Sequence, residues 1–197
     1  VALKVLFDHV AASDVGVERF RREVSVSSRV EAPGIVEIFD AGPYGDSFYY
    51  AMEMLEGEEL GEVTSDLSLP ERIRLIADAC ESLGACHEAG IVHRDLKPEN
   101  IFVVDEPNTL TKIFDFGISS MRDAPRATAT GNVVGTPVFM SPEQATDAGE
   151  AQPPADVWSI GVMLYELTTG RLPVDADSST QILIKVADAD IDYLTDD

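Results

Sequence analysis

A chain of 197 residues can bury one good core, or two small lobes around a cleft, and a hydrophobic content of 45% excludes a disordered polymer. Its 36 acidic and 14 basic side chains leave a formal charge of −22. That balance opposes nonspecific nucleic-acid binding, because no surplus of lysine and arginine exists to neutralise phosphates. A soluble acidic surface accounts for it; a preference for basic substrate segments is the second reading of the same imbalance.

Residues 1–6 alternate as a strand does and begin abruptly, as a cut edge would. Residues 14–30 are patterned as an amphipathic helix with a basic patch, Arg19, Arg21 and Arg22, and a central Glu23. Two strands are expected at 35–40 and 47–52, around the turn-rich stretch 41–46. Ser68 and Glu71 form a capping box, and Ile73, Ile76, Ala77, Cys80, Leu83 and His87 follow at helical spacing until Gly90. The six-residue step from Cys80 to Cys86 is about 9 Å of helical rise, too far for a disulfide. Both cysteines are therefore expected to be small buried hydrophobes in a reducing compartment, and His87 a packing or capping residue. Strands at 101–104 and 111–114 flank a turn at 105–108, and residues 118–134 are polar as a loop is. A helix opening at Pro153 is apolar nearly all round, hence expected to be buried, and Gly170 ends it. Asp156 in its first turn suits the helix dipole. Past Pro173 the chain is acidic and weakly patterned, with one short helix expected at 181–186. No signal peptide and no membrane-spanning apolar run is present, so a cytoplasmic location is expected, with an anchor elsewhere in a longer parent left open.

The chemistry is concentrated between His93 and Gly117. The string His93-Arg94-Asp95-Leu96-Lys97-Pro98-Glu99-Asn100 is followed, after an apolar run, by Asp115-Phe116-Gly117. Two carboxylates, an amide and a lysine at such spacing meet the needs of phosphoryl transfer: an acceptor for a hydroxyl proton, hard oxygen ligands for magnesium, and a cation near the moving group.

These two motifs, in this order, resemble the catalytic-loop and metal-binding signatures of eukaryotic-type Ser/Thr protein kinases, of the sort also found in bacteria. The resemblance implies an α+β, two-lobed kinase-like fold, with a partial N-lobe at 1–56 and a partial C-lobe at 57–197. It implies ATP and Mg2+ as cofactors, and protein substrates bearing Ser or Thr hydroxyls. Asp95 would take the substrate's proton, Lys97 would neutralise the γ-phosphate, and Asn100 and Asp115 would hold magnesium. Lys4 would reach the α and β phosphates from beside Ala2, and Glu23, or its competitor Glu18, would pair with Lys4. Adenine would be read by the backbone of Glu53 and Leu55, with Met52 behind it and Phe102 beneath it; plain core roles for Met52 and Phe102 are equally open. His93, Phe116, Gly117, Glu143 and Asp156 take structural roles in this comparison, Asp156 as a buried brace for catalytic-loop amides. Arg94 would pair with a phosphate on Thr128 or Thr130, and Thr136 would hydrogen-bond Asp95 and Lys97. Trans-autophosphorylation in a homodimer fits such a switch.

Departures from the pattern are specific. Ser27 stands where an apolar side chain is usual. No Gly-x-Gly-x-x-Gly loop exists, and the last helices of the large lobe, with the arginine that partners the glutamate matching Glu143, are missing; the chain is expected to be a kinase truncated at both ends. A catalytically incompetent nucleotide-binding or scaffold module is therefore the competing reading. Small-molecule phosphotransferases on a related fold fit less well, for they lack the Gly135-Thr136-Pro137 to Ser141-Pro142-Glu143 segment.

Overall fold

The computed structural model describes residues 1–6, 17, 20, 24, 29–30, 32–63, 67–106, 109–116, 137–146 and 152–193. Among them, β1 (Ala2–Val5), β2 (Ile38–Tyr44) and β3 (Ser47–Met52) form an antiparallel sheet in the order β1-β3-β2. A second antiparallel sheet, β4-β5-β6, comprises β4 (Gly57–Glu59), β5 (Ile101–Glu106) and β6 (Thr109–Ile113). Helices with continuous described residues are α1 (Leu60–Val63), α2 (Leu69–Glu88), α3 (Pro142–Thr146), α4 (Pro153–Thr169) and α5 (Ser179–Ala187), with 3-10 turns at Pro98–Asn100 and Pro137–Phe139; Val17, Phe20 and Val24 are helical as well. This is an α+β arrangement of small antiparallel sheets and helices.

The first hairpin is longer than its sequence implies. Residues 41–44, read as turn, continue β2, pairing Ala41 with Tyr50, Gly42 with Tyr49 and Pro43 with Phe48, so only Gly45 and Asp46 turn the chain. Two physical facts allow it. Strand β2 lies at the sheet edge, where a proline's missing N–H breaks no ladder bond, and Gly45 takes the left-handed conformation at φ 60°. Ile35, expected in a strand, makes only an isolated parallel bridge to Ile113. Along β1 the faces alternate: Ala2 and Lys4 are half-buried, Leu3 and Val5 exposed.

Helix α2 organises the core. Its buried face, Leu75, Ile76, Ala79, Leu83 and Cys86, meets Ile101 and Ile113 of the second sheet and Ile160 and Met163 of α4 in one apolar cluster. Its start is the Ser68–Glu71 pair, in which the Glu71 carboxylate accepts from the Ser68 amide at 2.8 Å. Those bonds from Ser68 hold the Glu71 carboxyl below its ordinary range. Cys80, expected to be buried, is exposed; six residues turn a helix through about 240°, so it cannot share the face of Cys86. Asp78 fastens β6 to α2, accepting from the amides of Leu110 and Thr111 at 3.0 and 2.8 Å and from the Thr111 hydroxyl at 2.9 Å. Helix α4, expected to be buried all round, buries Ala155, Asp156, Ser159, Ile160, Val162, Met163, Tyr165 and Leu167 but leaves Val157 64% exposed. It ends at Gly170, φ 73°. Helix α5 outruns the expected 181–186, because Ser178 caps it by accepting from the Gln181 amide at 3.3 Å.

Candidate active site

Helix α2 ends at Gly90 (φ 75°), and the Ile91 amide closes the last turn on the Cys86 carbonyl at 2.8 Å. The reversal drops the chain into the loop that starts at His93. That loop is hung on Asp156, a carboxylate 1% exposed. Its Oδ2 accepts from the His93 amide and meets His87 Nε2, each at 2.8 Å, and its Oδ1 accepts from the Arg94 amide at 2.8 Å. The two amides and the imidazole occupy both oxygens, which keeps a buried charge tolerable. Arg94 lies in the left-handed region at φ 71°, where a side-chain-bearing residue is strained. Its carbonyl accepts from the Gln144 amide side chain at 2.7 Å, so α3 and α4 hold the strained residue from its two ends.

His93 is fully buried, and its ring stands 4.8 Å from that of Phe116. The Asp95 amide donates to its Nδ1 at 3.3 Å, which makes Nε2 the protonated nitrogen, donating to the Phe114 carbonyl at 3.1 Å. Burial pushes its pKa below the ordinary value against the pull of Asp156, Asp95 and Asp115, so the ring is neutral and spans the loop to the segment after β6.

Asp95 and Lys97 project into partly open space, 38% and 26% exposed, with Lys97 Nζ 3.5 Å from Asp95 Oδ2. The Pro98–Asn100 turn brings Asn100 back beneath them. Its Nδ2 donates to the Asp95 carbonyl at 2.7 Å, and its own carbonyl accepts from the Phe114 amide at 3.2 Å. With the nitrogen so committed, the side-chain oxygen is the group Asn100 has to offer a ligand. Asp115, one residue past Phe114, takes φ 54°. Its Oδ1 contacts Lys4 Nζ from β1, at a site where the two side chains are 37% and 38% exposed. The Tyr50 hydroxyl lies 3.4 Å from the same oxygen, and the Lys4 ammonium sits 5.6 Å from the Tyr50 ring centroid. Contacts thus join Lys4 to Asp115, and His93, Asp95, Lys97 and Asn100 to one another, with Phe114, bonded to both His93 and Asn100, leading the chain from the second group to the first. Carboxylate and amide oxygens are the donors present, a set that fits a hard cation such as magnesium.

Ala2 in β1, Met52 at the end of β3, Glu53 and Leu55 in the link to β4, and Phe102 in β5 are all partly buried. Phe102 meets Phe114 edge-on, centroids 6.2 Å apart. Glu143 is exposed, so its carboxylate stays hydrated and needs no buried cationic partner. Glu18, Glu23, Ser27, Gly117, Thr128, Thr130 and Thr136 lie outside the described residues. His87, Gln144 and Tyr50 meet Asp156, Arg94 and Asp115, and Lys112 meets Glu53, across 50 to 69 residues of chain, contacts that no local sequence signal announces. A cavity of about 590 Å3 borders the loop at Pro98 and Glu99 and carries Glu59, Glu62 and Glu166. Burial, then the charge of Glu99, raises the Glu166 carboxyl above its ordinary value. Among the described residues no helix is long and apolar enough to cross a membrane.

Known proteins are similar to this chain over nearly its whole length. Serine/threonine-protein kinase PknL of Mycobacterium tuberculosis is 37% identical over 194 residues, 97% of this chain and 48% of PknL. Serine/threonine-protein kinase pkn2 of Myxococcus xanthus is 38% identical over 195 residues, 96% of this chain and 23% of its own length. PrkC of Bacillus subtilis, also a serine/threonine-protein kinase, is 36% identical over 188 residues, 94% and 28%. The chain spans about half or less of the length of these relatives. The model of the protein kinase domain matches residues 1–195, and the chain belongs to that family.

Proposed function

We propose that the protein acts as an ATP- and Mg2+-dependent kinase of protein serine and threonine hydroxyls. The observation that carries the reading is the contact of Lys4 with Asp115: it sets a strand cation against a metal-type carboxylate, beside the loop that bears Asp95, Lys97 and Asn100. In this reading residues 1–56 and 57–197 are parts of the two lobes, and the nucleotide lies between them. Lys4 holds the α and β phosphates, itself held by Glu23. Asn100 and Asp115 would bind magnesium, which when bound neutralises charge on the phosphates. Asp95 orients the acceptor hydroxyl and takes its proton; positioning counts for more than basicity here, because the transition state is loose. Lys97, beside it, offsets charge as the γ-phosphoryl group moves. The glutamates lining the cavity next to Glu99 favour an acceptor with basic residues near its hydroxyl.

The test is transfer of labelled phosphate from ATP to a basic acceptor protein, with phosphoamino-acid analysis of the product. Label on serine or threonine, lost in Asp95→Asn, is expected. Label that survives Asp95→Asn, or a protein that transfers none, would overturn the proposal.

A further inference from the structure

Strand β6 carries a lysine where its neighbours are core. Lys112 is 7% exposed, between the fully buried Thr111 and Ile113. Its ammonium reaches both carboxylate oxygens of Glu53, at 2.7 and 2.8 Å, and the two side chains are only 9% and 19% exposed. Glu53 is the first residue after β3, in the link between the two sheets. The same carboxylate accepts from the Glu37 amide at 2.9 Å, and the Glu53 amide donates to the Glu37 carbonyl at 3.0 Å. The stretch carrying Glu37 is itself tied to β6: the Val36 amide donates to Ile113 at 3.1 Å, and the Ile113 amide to Gly34 at 2.8 Å. Gly34 lets the stretch lie close to both β6 and α2, since a Cβ there would stand 3.0 Å from the Thr111 carbonyl oxygen and 2.0 Å from Ser82 Oγ. Lys112 pairs in register with Phe102, so both side chains rise from one face of the second sheet.

A buried ion pair is weak evidence for stability, because desolvation offsets most of the attraction; its geometry is what an apolar pair could not supply. Here that geometry fixes one residue three ways: Glu53 is held at its amide, at its carboxylate and through the ammonium to β6. We propose that Lys112 is a positioning residue for nucleotide recognition. It locks the Glu53 backbone in the orientation that meets the base, above the face that carries Phe102. The proposal rests on the kinase reading and adds to it a determinant of base affinity that touches neither phosphate nor metal.

Lys112→Met alone strands the Glu53 carboxylate and can cost the fold, so the informative variant combines Lys112→Met with Glu53→Gln. The glutamine still accepts from the Glu37 amide but no longer ties the link to β6. Binding is measured by calorimetry with Mg-ATP and with Mg-tripolyphosphate, which has the phosphates and no base. The double variant is expected to bind ATP about tenfold more weakly, the equivalent of one hydrogen bond's net worth, while tripolyphosphate affinity stays the same. Unchanged ATP affinity, with or without a change in turnover, would show that the pair is only a brace. Parallel weakening of both ligands would place the effect on the phosphates and also overturn the proposal. If the unsubstituted protein binds no ATP at all, the kinase reading falls first and the positioning role with it, so that control tells the two failures apart.

Discussion

Replacing Asp156 by asparagine tests how the loop from His93 to Asn100 is supported. The carboxylate offers two acceptors to three donors: Oδ2 serves the His93 amide and His87 Nε2, and Oδ1 serves the Arg94 amide. Asparagine has the same shape and one acceptor oxygen. If that oxygen faces His93, its NH2 group opposes the Arg94 N–H; if it faces Arg94, the NH2 opposes the His93 N–H. Either way one buried backbone amide loses its partner, a loss of about 1–3 kcal/mol. Against a total stability of about 5–15 kcal/mol the variant should still fold. With a urea m-value of about 2 kcal/mol/M, the unfolding midpoint should fall by about 0.5–1.5 M with the slope unchanged. Asp156→Ala, which leaves all three donors unanswered, should lose about twice as much or more. Equilibrium urea unfolding followed by tryptophan fluorescence measures both. An Asp156→Asn midpoint within about 0.2 M of the unsubstituted protein would refute the claim that this carboxylate, through its charge and its two acceptors, holds the loop.

Two further outcomes follow from the same coordinates. His93 is buried with its pKa below the ordinary 6.5, so the folded state binds fewer protons than the unfolded state. Its contribution to stability is then complete above the ordinary value and is lost progressively as pH falls below it toward the folded-state value; the melting temperature should drop steadily as pH is lowered below about 6.5, and drop less in His93→Gln. Burial, and then the charge of Asp156, pushes the Cys86 thiol up to about 12 while Cys80 is exposed, so iodoacetamide on the native protein should add a single group, at Cys80, as peptide mass spectrometry would show.

Legibility in the sequence followed the range of the interaction. The Ser68–Glu71 pair, Gly90 and Gly170 act within one helical turn, and they mark the start or end of α2 and α4 where the structure has them. The run from His93 to Asn100 is equally local, because a loop, a 3-10 turn and a strand occupy those consecutive residues. Burial of Cys80 and Val157 was misjudged for a different reason: apolar character says which residues tolerate burial, not which face finds a partner. Strand β2 was cut short because its turn-forming residues are strand residues only when β3 lies alongside, and pairing is not a local property. Least legible of all were His87 with Asp156, Gln144 with Arg94 and Lys112 with Glu53. Their separations along the chain are 69, 50 and 59 residues, and no periodicity connects such positions.

Those long-range bonds explain how the site keeps two unfavourable backbone conformations. Arg94 and Asp115 both sit at positive φ without being glycine, a cost of order 1–3 kcal/mol each. Neither loop could hold such residues alone, and in each case the neighbouring peptide groups are fixed by something packed in the core. Arg94 has its amide on α4 and its carbonyl on α3; Asp115 follows Phe114, whose carbonyl and amide are bonded to His93 and Asn100. The two strained residues are therefore joined through one neutral imidazole. Asp156 holds the His93 amide, the His93 ring holds the Phe114 carbonyl beside Asp115, and Lys4, on the other sheet, contacts that carboxylate. Coupling of this kind requires His93 to be uncharged and buried. That ties the buried imidazole to the geometry of both Asp95 and Asp115.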